Sequence, residues 1–152
     1  MIEIREGGLD DPQVVELLAI HAGGMLANSP VDACHFLDLS ALRAPEIVFL
    51  SAWEGGTLLG IGAMKALGDG TSEIKSMRTA QAALGRGVGT AILREIMARA
   101  RARGDRALVL ETGTGPAFDA AHALYRRHGF AECGPFGDYV AKDFNRFYAL
   151  TL

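Results

Sequence analysis

Cysteine is scarce in this chain of 152 residues, with only Cys34 and Cys133. Two thiols cannot build the framework of a disulfide-stapled secreted domain, and their spacing fits no metal motif. They read as small buried hydrophobes. No other grouping of His, Cys, Asp and Glu forms a metal constellation, so no metal is expected. A secretory leader is also missing. The first residues, MIEIREGG, have neither a basic start nor an apolar core, and no apolar run reaches transmembrane length. The expectation is a cytoplasmic protein with no membrane partner. Positive charge is not in excess either: the formal net charge of −3 argues against a general nucleic-acid binder. Repeats, low-complexity tracts and linkers are absent. Residues 1–152 are therefore expected to form one domain, large enough to bury roughly two-thirds of its unfolded surface.

Glycine is plentiful, and its placement is informative. Gly85-Arg86-Gly87-Val88-Gly89 follows the strand-like EIKSM of Glu73–Met77 and precedes the helix-like TAILREIMARARARG. Such a turn leaves backbone N–H groups unpaired at the positive end of a helix dipole, a site suited to phosphate. Glycine also removes the Cβ that would keep a ligand's oxygens away from those amides. Arginine concentrates from Arg86 to Arg106, where it serves either a phosphate ligand or a solvated helix face.

The rest of the chain organises around this turn. Ile2–Arg5 alternates like a short strand, and Asp10-Asp11-Pro12 starts a helix with Val14, Leu17, Leu18 and His21 on one face. Gly23-Gly24 is expected to weaken its end, and HFLDLSAL to give a short helix before Pro45. Glu46–Trp53 and Leu58–Leu67 flank Glu54-Gly55-Gly56-Thr57, a hairpin signal. Gly68-Asp69-Gly70 then turns into a strand at Ser72–Arg78. Val88, Ala91, Ile92, Ile96 and Ala100 mark a buried helix face that Gly104 ends. Ala107–Glu111 reads as a strand, Pro116 to His128-Gly129 as a helix, and Phe130–Cys133 and Phe144–Leu152 as the last strands. Hairpins followed by a strand–helix–strand unit predict a mixed α/β sheet with one parallel pair and helices on its faces.

Three phosphate-binding designs compete. A P-loop is excluded because no Lys follows these glycines. A dinucleotide fold would use Glu111, about 20 residues past the turn, as its ribose acid. Thr90, however, stands at the third-glycine position, and several strands precede the turn rather than one. The third design is the coenzyme A site of the Gcn5-related N-acetyltransferases, a family this chain resembles over nearly its full length. The family's Gln/Arg-x-x-Gly-x-Gly/Ala turn falls on Leu84-Gly85-Arg86-Gly87-Val88-Gly89, with Leu84 in place of the polar residue. Its later signature appears as Leu124-Tyr125-Arg126-Arg127-His128-Gly129-Phe130, and the usual Asn before it is replaced by Phe118.

This resemblance implies a central parallel pair that splays apart and binds the pantetheine arm of acetyl-CoA, the co-substrate, along Met77, Arg78 and Thr79. The pyrophosphate would lie on the amides of Gly85, Arg86, Gly87, Val88, Gly89 and Thr90, with Arg86 adding a charge-assisted contact. Tyr125 would protonate the departing thiolate, or else pack with Leu124 against the sheet. Glu73 lies fourteen residues before Gly87, the spacing of a catalytic glutamate in one branch of the family, and Glu111 on the next strand is its rival. A base is needed because an alkylammonium must lose a proton before it can attack. His35, Asp138 and Tyr139 are candidates for the acceptor pocket, with His21, Met25 and Trp53 behind them. His122 and His128 read as helix-surface residues. The implied activity is acetyl-CoA-dependent N-acetylation of a small amine, amino-acid-like or polyamine-like. A peptide or protein acceptor, or a non-catalytic acyl-CoA sensor, is the alternative. A homodimer is expected by the same resemblance.

Overall fold

The computed structural model describes residues 1–152. Seven strands form a single sheet in the order β1-β2-β3-β4-β5-β7-β6. They span Glu3–Glu6 (β1), Ile47–Glu54 (β2), Thr57–Ala66 (β3), Thr71–Thr79 (β4), Ala107–Thr112 (β5), Ala131–Cys133 (β6) and Arg146–Thr151 (β7). Helix α1 covers Pro12–Asn28, α2 the four residues Leu39–Leu42, α3 Val88–Ala102 and α4 Asp119–Arg127. Only β4 and β5 run parallel, and α3 makes the crossover between them.

Strands β2 and β3 are near-continuous apolar runs because both faces of the sheet are covered. Alternate residues serve opposite cores. Leu50, Ala52, Leu59 and Met64 pack with Ile92, Leu93 and Ile96 of α3, whereas Phe49, Trp53, Leu58 and Ile61 pack with Val14 and Leu17 of α1. Helix α4 joins the α3 side through Tyr125. Tight approach of α3 to β3 requires Gly62, where a Cβ would lie 2.6 Å from both Ile92 Cγ2 and Met77 Sδ.

Local signals act as expected at several ends. Asp11 caps α1, its carboxylate accepting from Gln13 N–H at 2.8 Å, with Pro12 in the first turn. Gly104, at φ +85°, follows α3. Glu95 and Arg99 pair at 2.8 Å one turn apart. Three readings need correction. Helix α1 runs through Gly23-Gly24 to Asn28, and Gly24 makes room for Arg78: a Cβ there would lie 2.9 Å from its guanidinium. Cys34 is half-buried and Cys133 exposed, so neither is a core residue. Trp53 is core rather than pocket, its Nε1–H donating to Ser51 Oγ at 2.9 Å.

Candidate active site

The parallel pair is short. Its register runs from Thr71 opposite Ala107 to Ile74 opposite Leu110 and stops there. Beyond that point β4 is held only by β3, and β5 only by β7. The divergence begins at a bulge. Ala63 faces Lys75 but Ile61 faces Arg78, so β4 carries one extra residue there, and Ser76 adopts φ +58°. Such a bulge bends its strand. It also resets the alternation, so that Met77 packs on the α3 side while Arg78 reaches α1. A cleft of about 300 Å³ fills the resulting gap.

One end of the cleft opens at the glycine turn. Gly85 and Gly87 take φ +77° and +80°, the left-handed region that disfavours any side chain, and a Cβ on either would meet nothing within 4 Å. The first helical bond of α3 is Ala91 N–H to Gly87 O, so the amides up to Thr90 lack helical acceptors. Leu84 is exposed and Val88 is buried in the core, which leaves Val88 only its backbone to offer a ligand. Arg86 is ion-paired with Glu54 at 2.7 Å on the surface. Thr79 and Gly89 face each other across the cleft mouth.

The α4 wall carries Tyr125, which is 5% exposed, lines the cleft and packs edge-on against Phe130 at 5.6 Å. Burial raises its pKa above that of a free phenol, which is itself protonated at neutral pH. Phe118 also lines this wall, stacked edge-on with Phe144. On the opposite wall His21 is buried and accepts from Arg78 Nε–H at 3.0 Å. Burial, with the Arg78 charge, lowers its pKa to about 4.

Polar groups gather where β4 and β5 part, on the α1 side. The Glu111 carboxylate lies 2.7 and 2.9 Å from His35 Nδ1 and accepts from Asn145 Nδ2 at 2.9 Å. Burial raises the Glu111 pKa despite the opposing pull of His35 and Lys75. Glu73 is 4% exposed and does not line the cleft. Its Oε2 accepts from Tyr139 O–H at 2.7 Å and Lys75 Nζ at 3.2 Å. Burial, followed by the Glu73 charge, pushes the Tyr139 pKa up. Tyr139 and Asp138 line a second hollow of about 420 Å³, with Asp138 exposed at its edge.

Sequence reasoning missed two groups, Lys75 and Asn145, and misplaced a third, His122. Lys75 shares a strand face with Glu73 two residues away, a periodicity that was available to find it. Asn145 carried no signal, since only tertiary structure brings it to Glu111. His122 is no surface residue: its ring bridges Tyr148 Oη at 2.6 Å and Gly113 O at 2.7 Å, tying α4 to the end of β5.

A mixed sheet with a splayed parallel pair, and a glycine turn opening a helix beside it, defines an acyltransferase architecture. Residues 16–130 match the Acetyltransferase (GNAT) family, and the chain belongs to that family. It is an N-acetyltransferase. Over its whole length it is 49% identical to the uncharacterised N-acetyltransferase YedL of Escherichia coli (strain K12), covering 96% of that protein. It is 41% identical to the IAA acetyltransferase of Azospirillum brasilense, with 89% of this chain and 87% of that one aligned. Among solved structures, a Klebsiella pneumoniae protein superposes with a TM-score of 0.84 at 27% identity, over 100% of this chain and 98% of that one. The PaiA N-acetyltransferase of Thermoplasma acidophilum, in complex with coenzyme A, gives 0.75 at 15% identity, over 100% and 99%.

Proposed function

We propose that this enzyme transfers the acetyl group of acetyl-CoA to the primary amine of a small amino-acid-like or polyamine-like molecule, by direct attack while both substrates are bound. The observation that carries this reading is the gap between β4 and β5, with free amides at its α3 end and carboxylates on its α1 side. The amides of Gly85–Thr90 hold the pyrophosphate, and Arg86 leaves Glu54 to join it. The unpaired edge of Met77, Arg78 and Thr79 takes the pantetheine arm like an added strand. Tyr125, a phenol protonated at neutral pH, donates to the departing sulfur.

Of the two glutamates, Glu111 stands at the cleft, whereas Glu73 is engaged by Lys75 and Tyr139 and shapes the acceptor hollow. His35, Asp138 and Tyr139 line that hollow. Its volume of about 420 Å³ suits a small acceptor better than a protein segment. One domain, cytoplasmic location and a homodimer complete the proposal, the last checked by solution mass.

The test is a thermal-shift titration with acetyl-CoA, CoA, NAD and ATP, then thiol release over an amine panel. A ligand at 100 times its Kd should add about 2.7 kcal/mol of stability. Stabilisation by acetyl-CoA and CoA but not NAD, with thiol release on some amine, is expected. Stabilisation without release on any amine would favour an acyl-CoA sensor.

A further inference from the structure

The cleft and the second hollow share one lining residue, His35. An amine that enters by the hollow and meets a thioester in the cleft therefore passes this ring. The ring is also oriented. Its Nδ1 faces both oxygens of Glu111, and Glu111 is in turn held by Asn145, which donates to Ala33 O at 3.3 Å as well and is 4% exposed. The Tyr139 ring lies against it at 5.1 Å. A carboxylate only accepts, so this network assigns the proton to Nδ1 and leaves Nε2 a bare acceptor.

We propose that His35 Nε2 takes the proton that the acceptor ammonium must lose, with Glu111 as its positioning residue, an assignment that rests on the transferase reading above. An N–H bond of the ammonium breaks and leaves an imidazolium paired with Glu111. The freed lone pair forms the C–N bond at the thioester carbonyl carbon. On collapse the C–S bond breaks and Tyr125 gives its proton to sulfur. The second proton of the nitrogen restores Tyr125, and the imidazolium discharges to solvent, so each turnover releases one proton. Accessibility distinguishes the candidates: the His35 side chain is 35% exposed and can pass its proton on, while those of Glu111 and Glu73 are 7% and 5% exposed. Glu111 from β5 and the Tyr139 ring from the loop before β7 lie directly against His35; Glu73 from β4, Lys65 from β3, and Asp138 and Lys142 from that loop line the hollow with it, and Lys75 from β4 lines the cleft. Asp32 on its own segment pairs with Lys142.

The experiment compares wild type, His35→Gln and Glu111→Gln with acetyl-CoA and two probe amines. Ethylamine arrives charged at neutral pH, and hydroxylamine arrives neutral. With ethylamine, His35→Gln should lower kcat/KM by about 10²–10⁴-fold at neutral pH, and the loss should shrink as the pH rises toward the ionisation of the amine itself, about pH 10. It should cost far less with hydroxylamine and leave stabilisation by acetyl-CoA in place. Glu111→Gln should lower kcat/KM more with ethylamine than with hydroxylamine, since the ring loses the partner that orients it. Equal losses with both amines, or a loss with ethylamine that does not shrink toward about pH 10, would overturn the proposal. Nitrogen-15 NMR of the acetyl-CoA complex decides the matter should wild type turn over neither amine: Nδ1–H supports the assignment and Nε2–H refutes it. Failure of acetyl-CoA to stabilise wild type would remove the transferase reading itself.

Discussion

Substitution at Gly87 separates backbone strain from ligand binding. Gly87 sits at φ +80° with open space where a Cβ would go, so Gly87→Ala has a conformational cost only. That cost is about 1–2 kcal/mol, or roughly 2–4 °C of Tm for each kcal/mol in a domain of this size. The amides of the turn remain, and stabilisation by acetyl-CoA should largely persist. Gly87→Glu carries the same backbone cost and adds a carboxylate beside the amides that the pyrophosphate needs. Two like charges about 4 Å apart repel by about 1 kcal/mol in water and about 4 kcal/mol at the effective dielectric near a protein surface. Affinity for acetyl-CoA should therefore fall between about fivefold and about a thousandfold. The assay is a thermal-shift titration of both variants with acetyl-CoA, read as the difference between them. Equal ligand-induced shifts in the two variants would refute the placement of the pyrophosphate on this turn.

Other expectations follow from the same geometry. Tyr125→Phe should lower kcat by about 10²–10⁴-fold with little change in acetyl-CoA affinity, as steady-state kinetics and titration will show, and unchanged turnover would make Tyr125 a packing residue. His21, with a folded pKa of about 4 against 6.5 unfolded, binds fewer protons folded than unfolded. Stability should be full above about pH 6.5 and fall by up to about 3 kcal/mol as the pH drops to about 4. Denaturant melts of His21→Gln should lack that slope. Gly113→Ala would place a Cβ 2.3 Å from Phe144 Cζ and 2.8 Å from Phe118 Cε2, and denaturant melts should show a loss of about 1–3 kcal/mol.

Much of this architecture was legible in the chain because it rests on local signals. The Asp11-Pro12 cap, the Glu54–Thr57 hairpin, the glycine turn and the apolar face of α3 each depend on neighbours in sequence. The splay of β4 from β5 came only through family resemblance, since its structural origin, the bulge at Ser76, has no glycine to announce it. Helix α1 outlasted Gly23-Gly24, and the room that Gly24 leaves for the Arg78 guanidinium is a tertiary demand that local propensity does not record. The acceptor side was the least readable. His35, Glu111, and the pair Tyr139 and Asn145 come from three separated segments, and no spacing pattern links them. His122 was misjudged for the same reason, its partners being Tyr148 and Gly113 on other elements.

A crystal structure of the enzyme with acetyl-CoA tests the central claim most directly. The account predicts the pyrophosphate on the amides of Gly85–Thr90, the arm beside Met77–Thr79, and the thioester between Tyr125 and His35. A cofactor bound elsewhere, or a thioester remote from both side chains, would contradict it.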